Sequence, residues 1–122
     1  MKSPGAASIN PRVNITELSP EARVLHLEGE LDLHVSTHAA AELNVLTHGK
    51  FPLIVVDLEK VTYVDSSGLA VLIGAMQTVK AYGGRFVLTA LHRNVLHIFE
   101  TAQVMQVFEI HPDLQSVPSA RS

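Results

Sequence analysis

The feature that most constrains the fold is a continuous β-rich run at residues 53–57, L-I-V-V-D, whose first four residues are all apolar. Pro52 stands directly before this run and prevents a preceding helix from continuing into it, while the β-branched residues favour a strand. A strand with one face in water alternates apolar and polar residues, and this run does not alternate. The run is therefore typical of a central strand in a parallel sheet that is covered on both faces.

A helix is predicted before this strand, over residues 36–49. Ser36 or Thr37 is the expected N-cap, because either hydroxyl can accept a free backbone N–H of the first turn. Gly49 is expected at the C′ position that ends the helix. The predicted apolar stripe of the helix consists of Ala39, Leu43 and Leu46.

A second helix is predicted after the strand. Gly83 and Gly84 stop it, and residues 85–90 (R-F-V-L-T-A) return as a strand, so we expect a βαβ unit with a right-handed crossover. Gly74 inside this helix costs about 1 kcal/mol relative to alanine, and close packing against the sheet is the expected compensation. The predicted core face of the helix consists of Leu69, Leu72, Ile73, Met76 and Val79.

Further strands are predicted near both ends of the chain. Residues 12–18 and 23–29 alternate apolar and polar side chains on either side of a turn, which predicts a hairpin near one edge of a sheet. Residues 92–102 form a predicted third helix, and residues 107–110 form a last short strand before a turn of helix from Pro112. The third helix is expected to bury Val95, Leu96, Phe99 and Ala102.

These elements predict one α/β domain over residues 12–115, with a mixed four- to five-stranded sheet packed against helices. The 122 residues, of which 47% are hydrophobic, can form one core but not a second domain. Residues 1–11 and 116–122 are rich in Ser, Pro, Gly and Ala, and we predict that they are flexible tails.

Charge and composition exclude several classes of function. The formal net charge is −3 and the nine Lys and Arg residues are scattered, so no nucleic-acid surface is predicted. No apolar stretch approaches the roughly 20 residues that cross a bilayer, and residues 1–11 lack the apolar centre of a signal peptide. Without cysteine there is no thiolate zinc site. We expect a cytoplasmic protein with neither nucleic acid nor membrane as a partner.

Three small polar residues, Asp65, Ser66 and Ser67, stand directly before the apolar part of the predicted second helix. The first turn of a helix has backbone N–H groups without partners and a partial positive charge. Aspartate and serine satisfy such groups, so capping is the simplest interpretation. The same position also favours a phosphate, which makes a serine here a candidate phosphorylation site.

Catalysis and metal binding have weaker signals. The nucleophile motif G-x-S-x-G around Ser66 would need glycine at position 64, where valine stands, so no catalytic residue is predicted. His34 and His38 are four residues apart, but a shared helical face is doubtful if His34 precedes the cap. No third ligand stands out near them, so neither a metal site nor a cofactor is predicted.

Three segments follow one another in an informative order: G-E-L-D (29–32), V-D-L-E-K-V-T-Y-V-D-S-S-G-L (56–69) and A-Y-G-G-R-F-V-L (81–88). Together they resemble the STAS domain and, more narrowly, the bacterial anti-sigma factor antagonists. The similarity covers residues 13–110. The chain departs from the family pattern at Ala102-Gln103, where a glycine is common before the last strand.

The resemblance implies a binding protein without catalytic activity. Antagonists of this family bind an anti-sigma factor that is also a serine kinase, which frees a sigma factor for transcription in responses such as stress. The kinase phosphorylates the first serine after the aspartate, which is Ser66 here, and a phosphatase reverses the modification. The partner-binding residues that the resemblance and the local chemistry predict are Glu30, Leu31, Asp32, Leu33, His34, Asp65, Ser66, Ser67 and Gly68.

Within that set, Asp32 matches the acidic residue of the family that meets the kinase, and Gly68 is expected to let a partner's backbone come close. If Asp32 and Asp65 lie near Ser66, their charges would oppose an added phosphate, so phosphorylation would release a bound partner. An alternative stays open. The family also includes subunits of stress-signalling and lipid-transport complexes that are never phosphorylated, and in such a scaffold Ser66 would only cap the helix.

Overall fold

The computed structural model describes residues 12–117, so the predicted tail at 1–11 and positions 118–122 of the predicted tail at 116–122 lie outside the described residues. No helix within this range is long and apolar enough to be a candidate membrane span. The elements in chain order are strands β1 (Val13–Ser19) and β2 (Ala22–Leu31), helix α1 (Leu33–His48), strand β3 (Leu53–Val64), helix α2 (Ser66–Ala81), strand β4 (Arg85–Thr89), helix α3 (Arg93–Thr101) and strand β5 (Glu109–His111), with short 3-10 turns at Met105–Val107 and Leu114–Ser116.

The five strands form one mixed sheet in the order β1-β2-β3-β4-β5. β1 and β2 pair antiparallel as an edge hairpin, and the remaining neighbours pair parallel. The predicted α/β class and mixed sheet are confirmed. Because each parallel strand lies next to the one before it, crossovers of a single hand bring α1, α2 and α3 to the same face. Val35, Leu72 and Phe99, one from each helix, share a core cluster.

β3 is the central strand, as its sequence predicts. Ile54 and Val56 face the helices, whereas Leu53 and Val55 belong to a smaller cluster on the opposite face, and none of the four is more than 1% exposed. Val117 joins that smaller cluster. The packing of the sheet therefore extends two residues past the predicted domain boundary at 115.

The start of α1 was predicted wrongly. The N-cap is Asp32, not Ser36 or Thr37, because β2 continues to Leu31 and the helix begins at once. Ser36 is buried in the first turn. The C′ assignment of Gly49 was also wrong: Gly49 is the C-cap with φ −73°, and the left-handed residue is Lys50 with φ 53°.

Three details near the other helices also differ from the prediction. A Cβ added to Gly74 would have no neighbour within 4 Å, so close packing does not explain this glycine. Ala102 is exposed as the C-cap of α3 instead of buried. The last strand covers Glu109–His111 and not residues 107–110.

Candidate functional site

The candidate site forms where β2 and β3 end side by side. Leu31 and Val64 are paired in register as the last residues of these two parallel strands. One aspartate follows each of them, Asp32 after β2 and Asp65 after β3, and a 16-residue helix follows each aspartate. Parallel pairing thus brings two carboxylates and two helix N-termini to one edge of the sheet.

Both aspartates are N-caps with nearly the same backbone conformation. Asp32 has φ −92° and ψ −174°, and Asp65 has φ −94° and ψ −175°. Asp32 Oδ1 accepts the backbone N–H of Val35 at 3.1 Å, and Asp65 Oδ1 accepts that of Gly68 at 3.0 Å. Each carboxylate thereby satisfies one free donor of a first turn and lies at the positive end of its helix.

The hydroxyls of the first turn of α2 have different surroundings. Ser66 is exposed, and within residues 12–117 its hydroxyl has no hydrogen-bond partner. Ser67 is half-buried and donates to Asp65 Oδ1 at 2.5 Å. Ser67 Oγ also lies 3.3 Å from Oγ of the buried Ser36, which links the first turns of α2 and α1.

These contacts determine the ionisation of Asp65. Its pKa is lowered from the ordinary 3.8, first by the hydrogen bond from the Ser67 hydroxyl and second by the Gly68 N–H, against a smaller opposing effect of desolvation. Both donors stabilise the charged form of the carboxylate. Asp65 is therefore a fixed negative charge at neutral pH.

A shallow open hollow lies between the two helix N-termini. The His34 and His38 rings meet edge to face with their centroids 4.9 Å apart, so the two do share a helical face and the doubt raised by the sequence was wrong. The described part of the chain contains no group of three or more His, Cys, Asp or Glu that could hold a metal ion. The hollow is lined by Asp32, Leu33, His34, Thr37, His38 and Asp65.

Of the predicted partner-binding residues around the end of β2, one is inaccessible. Leu31 is 1% exposed and belongs to the core, so it offers no surface, whereas Leu33 is 69% exposed. Glu30 is also exposed, on β2 beside Tyr63 of β3. A single residue, Asp32, separates the end of β2 at Leu31 from the start of α1 at Leu33.

Glycine is needed at position 68 for a different reason from the predicted one. It is buried, and a Cβ added to it would lie 2.9 Å from Leu31 O, Leu31 Cγ and Val64 Cγ1. The close backbone approach at this glycine is therefore made within the chain, where α2 begins against the ends of β2 and β3, and not at the surface.

Sequence reasoning missed Ser36 as a member of the site. A helix that begins at residue 33 places Ser36 on the same face as Ala39 and Leu43, at spacings of three and seven. A buried serine on that face needs a polar partner, and it finds one in Ser67. The signal was thus present in the helical periodicity but depended on the correct starting residue.

Comparison with known proteins gives concordant results. The STAS domain family model matches residues 14–117. The chain is 26% identical over 102 residues to the anti-sigma-B factor antagonist of Listeria monocytogenes, covering 84% of this chain and 90% of that protein.

Two solved structures share the fold. An anti-sigma factor antagonist from Mycobacterium paratuberculosis superimposes with a TM-score of 0.73 at 21% identity, covering 87% of this chain and 92% of that chain. The Bacillus cell fate determinant SpoIIAA in the phosphorylated form superimposes with a TM-score of 0.68 at 21% identity, covering 85% and 95%.

Proposed function

Because the chain belongs to the STAS domain family and its relatives are anti-sigma factor antagonists, we propose that it acts in the cytoplasm as such an antagonist. In this proposal it is not an enzyme. It binds an anti-sigma factor that is also a serine kinase, frees a sigma factor for transcription in a response such as stress, and loses this activity when Ser66 is phosphorylated. A phosphatase restores it.

The observation that carries the proposal is the exposed Ser66 hydroxyl at the first position of α2, beside groups that already have partners. Ser66 is open to solvent, whereas the Ser67 hydroxyl is bonded to Asp65. A kinase needs an acceptor hydroxyl that it can align with the γ-phosphate of ATP. Of the two serines, Ser66 offers that access.

The surroundings of Ser66 support release as the consequence of phosphorylation. A phosphoserine adds about −1.5 to −2 charges at neutral pH. The carboxylates of Asp32 and Asp65 already line the hollow next to it, and Asp65 is held in its charged form. A partner surface that accommodates the two carboxylate charges would face about twice as much negative charge after phosphorylation, which weakens its binding.

The partner surface in this proposal is the hollow with its rim. Asp32 and Asp65 supply the charge, and the exposed Leu33 supplies an apolar contact beside them. No Lys or Arg occurs between residues 24 and 49, which leaves this side acidic and suited to a basic partner surface.

The test is phosphorylation by the cognate anti-sigma factor kinase with ATP, read by intact-mass and fragmentation mass spectrometry. We expect one added phosphate, absent in Ser66→Ala and retained in Ser67→Ala. In binding assays Ser66→Ala should match the wild type, and Ser66→Asp should bind at least about tenfold more weakly, which corresponds to about 1.4 kcal/mol. Equal affinity of both variants would contradict the switch and favour a constitutive scaffold.

A further inference from the structure

We propose that Asp65 and Ser36 select the phosphorylated serine by engaging the hydroxyl of Ser67, so that only Ser66 is free to react. This inference rests on the proposed function, because it concerns the choice between adjacent serines by the same kinase. Asp65 and Ser36 are positioning residues here. They act on the acceptor through Ser67 and not by touching the transferred group.

The hydroxyl of Ser67 has little capacity left for a reaction. A serine carries one hydroxyl proton and two lone pairs, and a carboxylate can only accept. The 2.5 Å contact therefore directs the proton of Ser67 at Asp65. Oγ of Ser36 lies 3.3 Å from Ser67 Oγ and is a second polar group that engages this hydroxyl.

Ser36 cannot easily turn away from this contact. It is 2% exposed in the first turn of α1, where a hydroxyl without a partner would be costly. The link between Ser36 and Ser67 also spans the two helices, so it holds Ser67 toward α1 and away from solvent. Ser66, one residue earlier on α2, turns outward and is exposed.

The product of a reaction at Ser67 would also be disfavoured. Phosphoryl transfer forms a bond between the serine oxygen and the γ-phosphorus, breaks the bond from that phosphorus to ADP, and passes the hydroxyl proton to a base of the kinase. At Ser67 the new dianion would replace the proton that now bridges to Asp65 and would face that carboxylate directly. Like charges at this separation repel strongly.

The proposal is tested by the ratio of phosphate on Ser66 to phosphate on Ser67 within one chain, measured by fragmentation mass spectrometry after reaction with the kinase and ATP. A ratio within one molecule does not depend on how tightly a variant binds the kinase. We expect the wild type to favour Ser66 by at least about tenfold, since reaction at Ser67 must first break a hydrogen bond to a charged group. Asp65→Asn and Ser36→Ala should each move the ratio toward Ser67 by about threefold or more.

Asp32→Asn is the matched control. It removes the same charge from the same hollow at an equivalent helix cap, but Asp32 has no bond to Ser67. The ratio should stay unchanged in this variant. The proposal is overturned if neither Asp65→Asn nor Ser36→Ala moves the ratio, or if Asp32→Asn moves it equally.

A second measurement needs no kinase and separates this inference from the proposed function. In NMR titrations the pKa of Asp65 should rise toward 3.8 in Ser67→Ala and remain at the wild-type value in Ser66→Ala. If the wild type accepts no phosphate at all, the proposed function fails, and this titration still decides whether Ser67 is held. An equal rise in both variants would refute the engaged hydroxyl.

Discussion

The N-termini of α1 and α2 lie side by side and share a cap, yet they present different groups to solvent. Asp32 and Asp65 are the N-caps of these helices, and their φ and ψ angles agree within a few degrees. The first helical residue is the apolar Leu33 in α1 and the hydroxyl-bearing Ser66 in α2, and both are exposed. The comparison teaches that the cap fixes the backbone and leaves the first helical position free to carry a functional group.

The two N-termini also differ in how closely they approach the sheet. The third helical residue, which donates to the capping carboxylate, is Val35 in α1 and Gly68 in α2. Val35 is buried with its side chain in the core, but Gly68 has no room for one because Leu31 lies against it. α2 therefore begins in direct contact with the end of β2, and this contact fixes the position of Ser66 relative to Asp32.

The largest effect on stability is expected for a substitution that breaks the contact between Gly68 and Leu31. In Gly68→Ala the new methyl would lie 2.9 Å from the backbone oxygen of Leu31, which cannot rotate away as a side chain could. We expect a loss of about 2 kcal/mol in the free energy of unfolding, as for other overpacked sites. Urea denaturation of variant and wild type measures it.

Gly74→Ala is the control for this change, on the same helix. A Cβ there has no neighbour within 4 Å, so alanine should add helix propensity without strain and stabilise by about 0.5–1 kcal/mol. A destabilisation of similar size in both variants would show that the contact with Leu31 is not the reason for glycine at position 68.

An intermediate effect is expected at the caps. Asp32→Ala should cost about 1 kcal/mol, the usual value of a lost N-cap. Asp65→Ala should cost more at neutral pH, because it releases the Ser67 hydroxyl as well as the Gly68 N–H. The measurement is the difference in melting temperature between each variant and the wild type.

The pH dependence of the Asp65 effect follows from its lowered pKa. A carboxyl whose pKa is lower in the folded state contributes stability that is fully present above its unfolded pKa, here about 3.8, and is lost as the pH falls through the folded value. The advantage of the wild type over Asp65→Ala should therefore persist from pH 7 to about 4 and shrink below 3.8. A gap that stayed constant down to pH 2 would contradict the ionised cap.

The sequence predicted α2 better than α1 for a physical reason. At α2 the three candidate capping residues, Asp65, Ser66 and Ser67, are adjacent, so the start of the helix is fixed within two residues whichever of them is the cap. At α1, Ser36 and Thr37 are good capping residues that lie inside the helix, while the true cap, Asp32, stands in what was interpreted as a loop. Local capping preference cannot decide such a case, because the choice depends on how far β2 extends in the sheet.

The buried position of Leu31 could have been found by extending the strand. Leu25 and Leu27 point to the core, and two further steps of the same alternation lead to Leu31. The prediction ended this strand at residue 29. In the structure Gly29 takes φ +81° and the pairing shifts, yet the strand continues. The tight packing at Gly68 could not be predicted, since it depends on how closely α2 approaches the ends of β2 and β3 in the folded chain.

The smallest predicted effect on stability, and a sharp test of the comparison, is at Leu33. This side chain is 69% exposed, so Leu33→Ala should change the free energy of unfolding by no more than about 0.5 kcal/mol. If the hollow docks the partner, the same variant should bind about tenfold more weakly, because full burial of a leucine contributes about 1.5–3 kcal/mol.

Val45→Ala is the matched control, being 65% exposed on the same helix but about 18 Å farther along its axis. Its affinity should equal that of the wild type. An equal loss in both variants would assign docking to the outer side of α1, and the paired N-termini would then not form one binding surface.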